Sequence, residues 1–257
     1  MKLNEPYLII DLSDNKILIF VGAFNTNKDF EPIKKIILES AGIQSGRIVD
    51  IEIVSQLLKK TINNVEDELN YFFSNASIII NPNQINCLNV SGYKKLNGSQ
   101  VSSEDITYIL NDIKKTILDS ENNYSLIHLF NSNFSLDSDN LENLPIGLFG
   151  EFYNQNMTFL LVNKNILKNI KSVFNNCGVN IEKIILKSFA EGVNLLSKSS
   201  SDKNFSILRI EKSRINVSLF KNKSFVFTED FTFGLNLIIK DCLLYTSPSH
   251  ETRHDLV

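Results

Sequence analysis

Residues 205–241, FSILRIEKSRINVSLFKNKSFVFTEDFTFGLNLIIKD, govern how the rest of the chain is read. Residues 206–210 form a short apolar run, Glu211, Lys212, Ser213 and Arg214 are polar, and residues 215–220 alternate apolar with polar. Alternation at period two is the pattern of a half-buried strand. Lys221, Asn222 and Lys223 supply a turn, residues 224–228 a third strand, and Gly234 opens an apolar run that begins a helix. The same opening stands near the N-terminus. Tyr7–Leu12 is apolar and ends in Asp11 and Leu12, Ser13, Asp14 and Asn15 are turn formers, and residues 16–22 are a second strand. The third strand there either takes in Ala23 and Phe24 or lies near residues 44–47. Two such hairpins, one near each end of a long mixed segment, predict an internally duplicated α/β fold.

Composition narrows the class. A chain of 257 residues can form one or two domains with a real core. Its 43% hydrophobic and 21% charged residues are a globular composition. A net charge of -3 gives no electrostatic footprint for nucleic acid. The pairs Lys34 and Lys35, Lys59 and Lys60, Lys94 and Lys95, and Lys114 and Lys115 lack interleaved aromatics and are expected to face solvent. Cys87, Cys177 and Cys242 are far apart with no CxxC pattern, which fits a reducing compartment rather than a disulfide framework or zinc site. No signal peptide is visible and no apolar stretch is long enough to span a membrane. His128 sits between Ile127 and Leu129 in a strand pattern and is assigned a structural role. Glu66, Asp67 and Glu68, and Glu104 and Asp105, are assigned to helix faces or caps rather than to acid–base pairs.

Between the hairpins, Ile33, Ile36, Ile37 and Ala41 recur at helical spacing and predict a helix over 30–41. A second helix follows Asp50, its N-cap, with Ile51, Val54, Leu57, Leu58, Ile62, Val65 and Leu69 on one face. Residues 76–80 are a buried strand, and 85–90 are expected to pair with it. Ser102 or Ser103 caps a helix through Ile117. Strands follow at 124–134 and 157–162, with a loop over 141–150, a helix over 166–174, a strand over 181–186, a helix over 189–196 and a polar linker over 197–204.

In this order several strings match a family. Gly46-Arg47-Ile48-Val49-Asp50 resembles a Gly-x-Val-x-Asp helix entry, and Val101-Ser102-Ser103-Glu104-Asp105-Ile106 a Val-Thr-x-Glu-Asp-Val helix start. Leu144-Pro145-Ile146-Gly147-Leu148-Phe149-Gly150 resembles an Asn-Pro-x-Gly-Leu-x-Gly loop, and Asn176-Cys177-Gly178-Val179 a Cys-Gly-Leu helix end. Over roughly residues 7–241 the chain resembles the N-terminal half of FtsA, the actin-like bacterial cell-division family. The resemblance implies an actin-like (ribonuclease H-like) ATPase fold. Residues 1–75 and 161–241 would form the first subdomain, 76–160 an inserted small α+β subdomain of SHS2 type, and the second actin-like subdomain would be missing. It implies a scaffold that self-associates and links the FtsZ ring and other division proteins to the cytoplasmic face of the inner membrane. The family's membrane contact is a C-terminal amphipathic helix, which would also be missing. It implies ATP and Mg²⁺ as family cofactors, held by two phosphate loops.

Both loops depart from the family. The first, Asp-Ile-Gly-Thr/Ser-x-Lys, is here Asp11-Leu12-Ser13-Asp14-Asn15-Lys16. Asp11 and Lys16 match, Ser13 replaces the glycine that lets backbone approach a phosphate, and Asp14 adds a repelling carboxylate. The second, Asp-x-Gly-Gly-Gly-Thr-x-Asp, is here Arg209-Ile210-Glu211-Lys212-Ser213-Arg214-Ile215-Asn216. All three glycines are absent, and Arg209 stands where a carboxylate would organise Mg²⁺. The expectation is a degenerate ATP site without hydrolysis. The rival reading has Arg209, Lys212 and Arg214 neutralise phosphates by charge alone. The same residues leave open a homologue close to the pilus-assembly protein PilM, an active enzyme such as a sugar kinase of the same superfold, and a decayed paralogue. Residues 242–249 resemble a translated sequencing-library adapter, so 242–257, with His250 and His254, are read as a non-native tail.

Overall fold

The computed structural model describes residues 5–12, 16–26, 29–44, 46–81, 85–198 and 203–246. Its first layer is a five-stranded sheet built around β1 (Tyr7–Leu12). β1 pairs antiparallel with β2 (Lys16–Phe24) and parallel with β6 (Asn75–Ile80). β3 (Phe30–Glu39) extends the sheet beyond β2, and β11 (Asn180–Leu186) adds parallel to β6, giving the order β11-β6-β1-β2-β3. Leu8, Ile10 and Leu12 alternate onto one face, where α1 (Ile51–Leu69) and α3 (Lys164–Cys177) cover them. Asp50 caps α1 as its spacing predicts, its Oδ1 accepting the Ile53 N–H at 2.9 Å. Val54, Leu58, Ile62 and Val65 are the buried stripe of that helix. Gly178 ends α3 in the left-handed region at φ 78°.

Three expectations fail, the first two of them in this layer. Residues 30–39 are a strand rather than a helix. Their apolar spacing also fits a sheet, and a ladder from Lys16↔Glu39 to Phe24↔Phe30 supplies backbone partners that a lone helix would have to make for itself. Pro32 is tolerated because β3 is an edge strand. Ala23 and Phe24 close β2, while Ile43–Gln44 (β4) and Arg47–Ile48 (β5) make only a two-residue ladder, so neither is the third strand of the hairpin.

The third failed expectation concerns β7 (Ile85–Lys95), which pairs not with β6 but with β10 (Phe152–Asn163), Ile85 opposite Val162. With β8 (Tyr124–Leu136) and β9 (Asp139–Leu141) these form an antiparallel sheet, β7-β10-β8-β9, lying in sequence between β6 and α3. Residues 75–80 therefore belong to the first sheet, and the second sheet starts at Ile85. α2 (Ser103–Ser120) covers one face of the second sheet around Ile109, Tyr153, Met157 and Phe159. Its cap is Ser102, reciprocated by Asp105: the Asp105 N–H donates to Ser102 Oγ at 3.1 Å and the Ser102 N–H to Asp105 Oδ2 at 2.9 Å.

A third sheet, β12 (Phe205–Ile210), β13 (Ile215–Lys221) and β14 (Ser224–Phe231), repeats the antiparallel opening of the first and is followed by α5 (Leu235–Thr246). Residues 247–257, the remainder of the segment read as a non-native tail, with His250 and His254, lie outside the described residues. The third sheet packs on the other face of the second through Phe130, Phe189, Phe220 and Phe225. α4 (Lys187–Lys198) lies against this third sheet at Gly192. A Cβ there would stand 1.8 Å from the Phe220 ring, which is buried and packs against the rings of Phe205 and Phe225. Gly192→Ala adds helix propensity worth about 1 kcal/mol but overpacks this contact by about 1–3 kcal/mol. Net destabilisation is the expected outcome in urea unfolding of the variant against the parent chain.

Candidate functional site

The C-terminal ends of parallel strands are where open α/β sheets place ligands, because several strand ends and helix starts converge there. Here the ends of β1, β6 and β11 meet. Asp11 alternates away from the helix-covered face taken by Ile10 and Leu12, and it is only 5% exposed. Its carboxylate Oδ2 accepts from Lys187 Nζ at 2.8 Å. Lys187 is the first residue of α4, directly after the Leu186 end of β11. Asn81, one residue past β6, is buried, and its Oδ1 has no hydrogen-bond partner among the described residues. Lys16 is exposed at the start of β2, opposite Glu39. Ser13, Asp14 and Asn15 lie outside the described residues.

The second hairpin, β12–β13, carries Arg209, Glu211, Lys212, Ser213 and Arg214 at its tip. Arg209 sits opposite Asn216 and its guanidinium pairs with Glu191 of α4. The Glu211 N–H closes the loop on the Arg214 carbonyl at 2.8 Å. The loop then receives α5: the Leu235 N–H donates to the Glu211 carbonyl at 2.9 Å and the Asn236 N–H to the Lys212 carbonyl at 2.9 Å. Gly234 permits this approach, since a Cβ there would fall 2.4 Å from Glu211 O and Arg214 N. Helix N-terminal N–H groups that could hold a phosphate are thus given to the loop's own carbonyls. Asp230 on β14 faces Asn216, and burial raises its carboxyl above the usual range.

The two hairpins therefore converge on one helix. Lys187 and Glu191 are four residues apart, so they share a face of α4. One reaches the first hairpin and the other the second.

No family model matches the chain. It is 22% identical over 242 residues to cell division protein FtsA of Buchnera aphidicola subsp. Schizaphis graminum, covering 94% of this chain and 57% of that protein. It is 19% identical to FtsA of Neisseria meningitidis serogroup B over 94% of this chain and 58% of the relative. The chain thus spans little more than half the length of these curated relatives. Among solved structures it superposes on a chain of the PilM-PilN type IV pilus biogenesis complex with a TM-score of 0.62 at 9% identity, covering 93% of this chain and 65% of that one. The fold is that of the actin-like ATPases.

An actin-like fold raises the question of whether the two hairpins suit a nucleotide with a divalent cation. They do not suit the cation as placed: the Asp11 carboxylate accepts from an ammonium, and Arg209 brings a cation of its own. Among the described residues no group of three His, Cys, Asp or Glu could hold a metal ion, and no helix is long and apolar enough to cross a membrane. Sequence reasoning named Asp11 and Arg209 but missed Lys187, Glu191 and Asn81. The four-residue spacing of Lys187 and Glu191 was visible as a helical pair; their partners in two other elements were not.

The remaining candidates have structural uses. Cys177 donates to the Ser55 carbonyl at 3.5 Å, and burial pushes its thiol up to about 11, so it packs α3 on α1 as an inert residue. Burial likewise raises the Cys87 thiol. Four of the lysines expected to face solvent are engaged: Lys34 pairs with Glu68, Lys94 pairs with Asp105 and lies over the Tyr108 ring, and Lys35 and Lys95 lie over the rings of Phe20 and Phe152. His128 Nε2 accepts the Leu186 N–H at 3.2 Å, holding the backbone just before Lys187. This acceptor requires a neutral ring, and burial lowers the His128 pKa. A lowered folded pKa means that the unfolded chain binds the extra proton first. Stability from His128 is therefore present above the unfolded value of about 6.5 and lost as pH falls below it. The parent chain is expected to lose more stability between neutral and mildly acidic pH than His128→Gln, as measured by urea unfolding across that range.

Proposed function

We propose that the chain is the N-terminal portion of an FtsA-like cell-division scaffold that self-associates and links FtsZ polymers to the inner membrane. The observation that carries this reading is the collinear similarity to FtsA from several bacteria over nearly the whole chain. In this reading residues 1–75 and 161–241 form the first actin-like subdomain and 76–160 the inserted SHS2-type subdomain, except that strand β6 joins the sheet of the former. The insertion of a complete antiparallel sheet between β6 and α3 supports that division. Membrane contact would come from an amphipathic helix outside the residues described.

The ATP site of this scaffold is degenerate. The Asp11–Lys187 and Arg209–Glu191 pairs, and the loss of the loop glycines, favour a protein that does not hydrolyse ATP. Leu208, Ile210, Leu235, Leu237, Ile238 and Ile239 are exposed on β12 and α5, and they suit the face on which the second actin-like subdomain would dock. A fragment ending at Asp241 is expected to self-associate or bind a hydrophobic dye in size-exclusion and fluorescence measurements; a monodisperse, cooperatively melting fragment would count against that docking face.

A second reading, a pilus-assembly homologue, takes its support from the fold likeness to a chain of the PilM-PilN complex. Co-sedimentation separates the two. The chain is expected to pellet with GTP-assembled FtsZ and not to be retained by immobilised PilN. Retention by PilN without FtsZ binding transfers the assignment to the pilus system.

A further inference from the structure

The face of α4 that carries Lys187 and Glu191 holds both hairpins by charge. Lys187 Nζ lies 2.8 Å from Asp11 Oδ2 at the end of β1, and Glu191 accepts from Arg209 on β12. The positions are fixed by their surroundings. The His128 ring takes the Leu186 N–H immediately before Lys187, and Gly192, immediately after Glu191, sits on the Phe220 ring. Asp11 is almost fully buried, so its charge is stabilised by a nearby cation, whatever the source of that cation. We propose that α4 acts as a built-in clamp: the Lys187 ammonium supplies the positive charge that the buried Asp11 carboxylate requires, in place of any bound cation, and the Glu191–Arg209 pair ties the second hairpin to the same helix. The two hairpins are then joined by the chain's own side chains, without a metal–nucleotide complex between them. This rests on the degenerate-site reading above and goes beyond it by naming what takes the place of the ligand.

An ammonium and a divalent cation compete for one carboxylate, which makes the clamp testable in the whole 257-residue chain. Lys187→Met leaves Asp11 buried beside an apolar side chain and is expected to lower the melting temperature by roughly 5–10 °C. Millimolar Mg²⁺ is expected to return part of that loss in Lys187→Met and to leave the parent chain unmoved. Lys187→Arg, which keeps the cation, and the double variant Asp11→Asn with Lys187→Met, which removes both charges, are expected to melt closer to the parent and to show no Mg²⁺ response. Should Lys187→Met fail to fold, recovery of folding in the double variant carries the same weight. Glu191→Gln is expected to speed amide exchange in the β12–β13 hairpin more than in β1–β2. The clamp is overturned if Lys187→Met melts with the parent, or if Mg²⁺ moves all variants equally. Stabilisation of the parent by Mg²⁺ with ATP would overturn the degenerate-site reading as well, so the two failures are told apart by which protein responds.

Discussion

Taking the Asp11 carboxylate out of water costs several kcal/mol unless a cation and hydrogen bonds meet it there. The chain meets it with Lys187, 176 residues further on. That requirement ties together the end of the central strand β1, the end of the outermost parallel strand β11 and the start of α4. Moving any one of them draws the ammonium away from a buried carboxylate, so the strand ends and the helix start act as one unit. The same helix carries Glu191 to Arg209, which extends the constraint to the third sheet.

The second sheet supports this arrangement. It is inserted between β6 and α3, yet it touches the strand-end region directly through His128 and the Leu186 N–H. Its contacts with the third sheet combine apolar packing with satisfied polar groups. Phe130, Phe189 and Phe225 form the aromatic part. Thr158 donates to the Val226 carbonyl at 3.4 Å, and Ser224 to the Asn131 carbonyl at 2.6 Å. Asn216, Ser218 and Thr228 satisfy one another inside the third sheet. Buried polar groups paired in this way specify one packing arrangement, because a slipped register leaves several of them without partners.

An actin-like fold supports many functions, and the site residues have to choose among them. At both hairpins the described charged side chains are engaged within the chain. One carboxylate is held by an ammonium, the counterpart position is a guanidinium, and helix N–H groups are capped by backbone carbonyls. Beside them, apolar residues of β12 and α5 are exposed.

Local structure is written in neighbouring residues. Asp50 as a cap, the Ser102–Asp105 capping box, Gly178 at a helix end and the period-two runs of β1 and β13 each depend on residues a few positions apart, and each is found where the pattern puts it. The departures of both hairpins from glycine-rich phosphate loops are legible in the same way, since a missing glycine or an exchanged carboxylate is visible in one dimension. Long-range pairing, by contrast, settles that residues 30–39 form a strand, that β7 joins β10, and that Lys187 and Glu191 matter. The spacing of Ile33, Ile36 and Ile37 suits a helix face about as well as an edge strand, and the choice falls to a ladder with β2. The partners of Lys187 and Glu191 lie in strands whose approach is set by sheet order and register, and those are properties of the folded chain that no short window of sequence contains.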